Sequence, residues 1–135
     1  HPGGTVGYRV TRSQKTVCFI TDTGPLARLG QGIMVGEPPS GKEQDFLHLI
    51  RSADLLIMDA TFTEEEYFEK MTWGHNYPEY IVAVAKAAGV KKVALFHHSP
   101  DATDDDLDEL AARWGGHTQP VVIVSKEGMV VDLEG

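Results

Sequence analysis

The hydrophobic pattern along the chain switches period several times, and each switch marks an element. "TVGYRVT" and "KTVCFIT" are β-rich runs separated by "RSQ", which predicts a hairpin. Residues 24–42 are crowded with Gly and Pro and predict a long loop. Ser40 with Glu43, ahead of Phe46, Leu47 and Ile50, spells a capping box and a short helix. "DLLIMDA" has the continuous apolar character of a buried strand, and Thr63 with Glu66 opens a helix through Tyr67 and Phe68. Pro78 suits a first helical turn, Ile81, Val84, Ala85 and Ala88 recur at helical spacing, and Gly89 is a natural stop. "KKVALF" predicts another buried strand, and Thr103 with Asp106 opens a helix with Leu107, Leu110, Ala111 and Trp114 on one face. "VVIVSKEGMVVDL" predicts a closing hairpin around Lys126 to Gly128. The sum is a single α/β unit over residues 1–135, without repeat or linker.

Composition narrows the function. No apolar run is long enough to span a membrane, and no signal-peptide pattern is visible. Cys18 stands alone, which excludes an internal disulfide and fits a cytoplasmic location. The net charge of −8 argues against a broad phosphate-binding face and makes nucleic acid an unlikely partner. A locally positive site created by bound metal stays open. The chain begins "HPGGTVGYRV" without Met and enters a strand almost at once, which suggests a cut end: a fragment, a processed product or a trimmed chain.

The polar ends of the apolar runs carry the chemistry. "TVCFITD" ends in Asp22, "DLLIMDA" in Asp59 and "VALFHH" in His97 and His98. In layered α/β folds sites gather beyond the carboxyl ends of strands. His with Asp suits Zn²⁺, Mn²⁺ or Fe²⁺ better than a calcium cage. Each residue taken singly is as well explained as a cap, a turn former or a solvated loop residue. His48 and His117 read as structural, and Asp104–Asp106 as acidic residues matched to a helix N-terminus.

Taken in order, "HPGGTVGYRV", "TDT", "ADLLIMDATFTEEEY", "WGHN" and "LFHHSPDATDDDL" resemble the C-terminal half of the metallo-β-lactamase superfamily, in its ribonuclease Z-like and phosphodiesterase-like branch. The resemblance implies half of an αββα sandwich: one mixed sheet with helices covering its outer face, and a two-metal site between the sheets. It implies that His1 and His97 are metal ligands, that Asp22 bridges the two metals, and that His75 assists proton transfer near the scissile bond. Asp59 falls at an acidic position that orients a neighbouring histidine. The implied cofactors are two divalent ions, Zn first, with Mn or Fe as alternatives. The implied activity is hydrolysis, preferably of a phosphodiester, by a metal-activated water. A small-molecule or phosphodiester substrate is therefore expected. Strand periodicity alone does not choose between His97 and His98, since adjacent side chains on a strand face opposite ways.

The HxHxDH motif of that superfamily is absent from this chain and belongs to a half that would precede His1. A lone half is expected to be inactive and to leave the inner face of its sheet bare, to be covered by the missing half or by a second copy in a homodimer. Two other classes are compatible with the residues. One is a non-catalytic binding or assembly module. The other is a response-regulator receiver-like domain with Asp22, Asp59, Ser99 and Lys126 near strand ends and Asp59 as phosphoacceptor.

Overall fold

The computed structural model describes residues 4–27, 30–39 and 41–134. Five strands form one sheet in the order β1-β2-β3-β4-β5: β1 Tyr8–Arg12, β2 Lys15–Ile20, β3 Leu55–Asp59, β4 Lys92–Phe96 and β5 Val121–Val124. β1 and β2 pair antiparallel, and the remaining neighbours pair parallel. Parallel neighbours need crossovers, and helices supply them. These are α1 Gly41–Ile50 after β2, α2 Glu64–Glu69 and α3 Pro78–Ala87 after β3, and α4 Asp104–Trp114 after β4. No helix among the described residues is long and apolar enough to cross a membrane.

The β1–β2 hairpin closes through Ser13 and Gln14, both left-handed at φ 49° and 64°, as a two-residue turn compatible with strand twist demands. In-register rows then divide the sheet into two unlike faces. Cys18, Leu56, Val93 and Val122 are direct partners across β2 to β5, and all four are buried. Ile20, Met58 and Leu95 form the next row on the same face. Phe46 and Ile50 of α1 and Tyr80, Ile81, Val84 and Ala85 of α3 complete that core. On the opposite face Tyr8, Val10 and Phe19 are exposed, and Phe19 meets Phe96 with ring centroids 5.7 Å apart.

Both Thr-led capping boxes form, with Thr63 and Thr103 accepting from the N–H groups of Glu66 and Asp106, whose carboxylates bond back to the cap N–H groups. The third predicted box involves Ser40. Ser40 lies outside the described residues, and Glu43 is buried, its carboxylate accepting from Tyr80 Oη at 2.7 Å and from Ile33 N at 3.2 Å. It staples the long loop to α3, and burial with the Glu43 bond pushes the Tyr80 hydroxyl far above its ordinary value. The far end of α1 is closed by Arg9 of β1, whose guanidinium donates to Leu49 O at 2.7 Å and Arg51 O at 3.0 Å.

The closing hairpin is corrected. A turn follows β5, with Met129 N donating to Lys126 O and Gly128 at φ 78°, but residues 129–134 form no strand. Val130 is 89% exposed, so the second apolar run has no buried face to register against. α4 is also less buried than its spacing predicts: Leu110 and Trp114 pack partly on the core while Ala111 is exposed.

At the opposite end of β3, Asp54 is buried and accepts from Thr16 N at 2.8 Å and Lys91 Nζ at 3.0 Å, with Lys15 Nζ at 3.9 Å. The Thr16 N–H first, then Lys91, hold its carboxyl below the ordinary aspartate value. A depressed folded value stabilises the protein above the unfolded value of ~3.9 and loses that contribution as pH falls through the folded one. Asp54→Asn should therefore cost about 1 kcal/mol at neutral pH, and the difference from wild type should shrink on acidification. Urea unfolding at neutral pH and near the bottom of the carboxylate range measures it.

Candidate metal centre

Three parallel strands deliver their carboxyl ends to one edge of the sheet, and the site assembles there. Asp22 follows β2, Asp59 ends β3 and His97 follows β4. His75 arrives from the loop between α2 and α3, turned inward at Gly74, φ 81°. Among the described residues, Asp22, Asp59, His75 and His97 each offer one ligand-type atom, all within 4.8 Å of one another. His1 lies outside the described residues.

Backbone strain marks two of the four. Asp22 (φ 51°) and His97 (φ 57°) are both left-handed, a conformation costing roughly 1–3 kcal/mol for residues with a Cβ. Asp and His tolerate it better than most, and here it turns their side chains toward each other. His97 Nε2 lies 3.7 Å from Asp22 Oδ1. That is too long for a hydrogen bond, yet two donors on one tetrahedral ion with bonds of ~2.0–2.2 Å stand roughly 3.3–3.6 Å apart. The donor set and its spacing fit a divalent cation.

Asp59 is the hub. Its side chain is fully buried, and both oxygens are engaged. Oδ2 accepts from His75 Nδ1 at 2.6 Å, and Oδ1 accepts from Thr61 N at 3.0 Å with Thr61 Oγ1 at 2.6 Å. The His75 ring is packed edge-on against Phe62, centroids 5.6 Å apart, and stacked on His97 at 5.2 Å and 21°. His75 Nδ1 is also 3.9 Å from Asp22 Oδ1, outside hydrogen-bond reach. Among the described residues Asp22 receives only a long bond from Thr21 Oγ1 at 3.3 Å, and His97 and Asp22 are the open rim of the site, each about two-fifths exposed.

His98 is elsewhere, its Nε2 against Ser125 O at 2.9 Å. The separation of the two histidines has a different cause from the one periodicity suggests. β4 ends at Phe96, and the left-handed turn at His97, not the pleat of a strand, sends the rings apart. Asn76, unremarked in the sequence, ties the site together: its Nδ2 donates to Thr23 O, its Oδ1 accepts from Tyr77 N, and its carbonyl accepts from Phe62 N. Gly24 packs on the His75 backbone, where a Cβ would come within 3.4 Å of the His75 carbonyl. A "TDTG" and "GHN" pair separated by some fifty residues is the only trace of this contact in the sequence.

The receiver-like alternative does not survive. Doubly wound receivers order their strands 2-1-3-4-5, whereas this sheet runs in sequence order with an antiparallel edge. Asp59, the required phosphoacceptor, is sealed from solvent.

Residues 1–98 match the family described as "Beta-lactamase superfamily domain". Among curated proteins, the ribonuclease Z of Brevibacillus brevis is 34% identical over 84 residues, covering 55% of this chain and 26% of the relative. The ribonuclease Z of Gemmatimonas aurantiaca is 26% identical over 98% of this chain and 43% of its own length. The chain thus spans less than half of either relative. Among solved structures, the short form of human tRNase Z aligns with TM-score 0.59 and 20% identity over 94% of this chain and 36% of that one. The metallo-β-lactamase fold protein YhfI of Bacillus subtilis aligns with TM-score 0.57 and 21% identity, over 90% of this chain and 41% of its own. These relatives overturn the expectation that nucleic acid is an unlikely partner. A net charge summed over 135 residues is an average and says nothing about a local site, least of all where the chain spans a minor part of its relatives. The chain belongs to the metallo-β-lactamase superfamily.

Proposed function

We propose that residues 1–135 supply part of the active site of a metal-dependent phosphodiesterase acting on RNA. The observation that carries this reading is the convergence of Asp22, Asp59, His75 and His97 at one sheet edge. The ribonuclease Z relatives support RNA as the substrate class. Asp22 and His97 would hold metal through Oδ1 and Nε2, with His1 as a further ligand from the N-terminal segment. When bound, a pair of divalent ions, Zn²⁺ by the His and carboxylate donors, supplies an activated water and stabilises charge on the attacked phosphoryl group.

The chain's own residues do the rest. Asp59 holds the Nδ1 proton of His75, so His75 turns Nε2 outward as the atom that moves a proton to the leaving oxygen. Phe62 and His97 clamp the ring and limit its rotation. The bare apolar face carrying Tyr8, Val10 and Phe19 supports a further proposal: another sheet, bearing the remaining ligands, packs there in the full-length protein. Cys18 is buried, and burial pushes its thiol up, so it serves the core and not the chemistry. A lone unreactive thiol accords with a cytoplasmic location.

The test is the full-length protein purified without chelator. Bound Zn or Mn at stoichiometric level, with metal-dependent cleavage of a tRNA-containing transcript, is the expected result. A metal-free protein that stays inert toward RNA and toward a chromogenic phosphodiester after Zn²⁺ and Mn²⁺ addition refutes the reading.

A further inference from the structure

We propose that Thr61 is a positioning residue that fixes the tautomer of His97, so that Nε2 is the ring atom left free to meet a cation. The inference rests on reading His97 as a metal ligand and adds to it the reason why one ring nitrogen is offered and the other is not.

The argument is a count of protons. Thr61 Oγ1 stands 2.6 Å from Asp59 Oδ1, 2.7 Å from His97 O and 2.9 Å from His97 Nδ1. A carboxylate oxygen and a carbonyl oxygen can only accept, and a hydroxyl has one proton to give. The buried carboxylate takes it, because two oxygens 2.6 Å apart need a proton between them, and none then remains for Nδ1. The contact at 2.9 Å is then a hydrogen bond only if Nδ1 carries its own proton and donates to Thr61. A neutral imidazole has one N–H, so Nε2 keeps its lone pair, and Nε2 is the atom 3.7 Å from Asp22 Oδ1.

The hydroxyl is well anchored for this task. Thr61 N donates to Asp59 Oδ1 at 3.0 Å, which locks the backbone beside the carboxylate, and the β-branched side chain has few χ1 choices. The bond to His97 O also braces the left-handed residue. Asp59 thereby orients both histidines, His75 directly and His97 through one hydroxyl. Thr61 lies 36 residues from His97 in the chain and touches no reacting atom.

A simple turn-forming role for Thr61 would need only the backbone, so the test removes the hydroxyl and keeps the shape. Full-length protein labelled with ¹⁵N-histidine is studied metal-free, about two units above the ordinary histidine pKa of ~6.5 to hold the rings neutral. His97→Gln identifies the His97 signals. Two-bond ¹H–¹⁵N spectra should show Nδ1-protonated His97 in wild type and in Thr61→Ser. In Thr61→Val they should show a shift toward the Nε2-protonated form, with Zn²⁺ affinity lower by about 10–100-fold and rescued in Thr61→Ser. An unchanged Nδ1–H population in folded Thr61→Val overturns the proposal. Absence of Zn²⁺ binding in wild type would instead sink the metal reading, while the tautomer spectra still decide the role of Thr61.

Discussion

Replacing His75 with Ala in the full-length protein should lower kcat by about 10²–10⁴-fold while bound metal stays nearly constant. The two halves of that expectation come from one bond. His75 Nδ1 is 2.6 Å from a carboxylate that is fully buried and has its other oxygen occupied, so this nitrogen is committed to Asp59. What His75 has left is Nε2, backed by a negative charge that stabilises the ring when it takes up a proton, the arrangement a proton-transfer histidine needs. The 3.9 Å gap between Nδ1 and Asp22 cannot be closed by a cation without breaking the Asp59 bond. Asp59→Asn sharpens the test: an amide can still touch the ring but no longer demands a protonated Nδ1, so kcat should fall there too with the ring in place. Metal by atomic emission, alongside steady-state kinetics, decides it. Loss of metal in step with kcat would make His75 a ligand.

Much of the fold was legible because local chemistry agreed with the final packing. Thr63 and Thr103 cap helices in isolation and in the structure alike, and the apolar runs of β2, β3 and β4 had no use except burial. The strand ends could be picked as candidates because a polar residue closing an apolar run sits at the edge of the sheet, and Asp22, Asp59 and His97 do come together there. What failed depended on distance in three dimensions. The buried bond between Glu43 and Tyr80 of α3, 37 residues away, leaves no local signal. Val130 carries strand character, yet nothing packs beside it to bury it. Thr61 and Asn76 are ordinary letters in turns. Their importance lies in bonds to His97 and Thr23, across 36 and 53 residues, which no spacing rule encodes. The choice between His97 and His98 came from the motif, and the left-handed turn that separates the rings is invisible in hydrophobic period. The charge argument against nucleic acid failed for another reason: the sign of a sum does not fix the sign at a site.

Asp22→Asn should weaken Zn²⁺ binding by more than about 100-fold, beyond the 10–100-fold typical of residues that only support ligands. Asn is chosen because it tolerates φ 51° as Asp does, so the loop keeps its shape and only the charge is lost. The environment of Asp22 argues for the size of the effect. Among the described residues its carboxylate receives one weak bond, from Thr21 Oγ1 at 3.3 Å, while two imidazole nitrogens stand 3.7 Å and 3.9 Å from Oδ1 without bonding it. A carboxylate held in a strained backbone beside two histidines, with one weak bond among the described residues, is matched to a cation. The metal-free stabilities of wild type and variant should therefore agree within about 0.5 kcal/mol, as for a surface change away from packed features. With Zn²⁺ at 100 times the wild-type Kd, bound metal adds ~2.7 kcal/mol to wild type, and a 100-fold weaker variant keeps only ~0.4 kcal/mol. Urea unfolding of the full-length protein with and without Zn²⁺ reads both quantities, and His98→Ala serves as the neighbour that should leave the Zn²⁺ increment intact. An Asp22→Asn protein stabilised by Zn²⁺ as strongly as wild type would remove Asp22 from the ligand set and leave its left-handed backbone without a purpose.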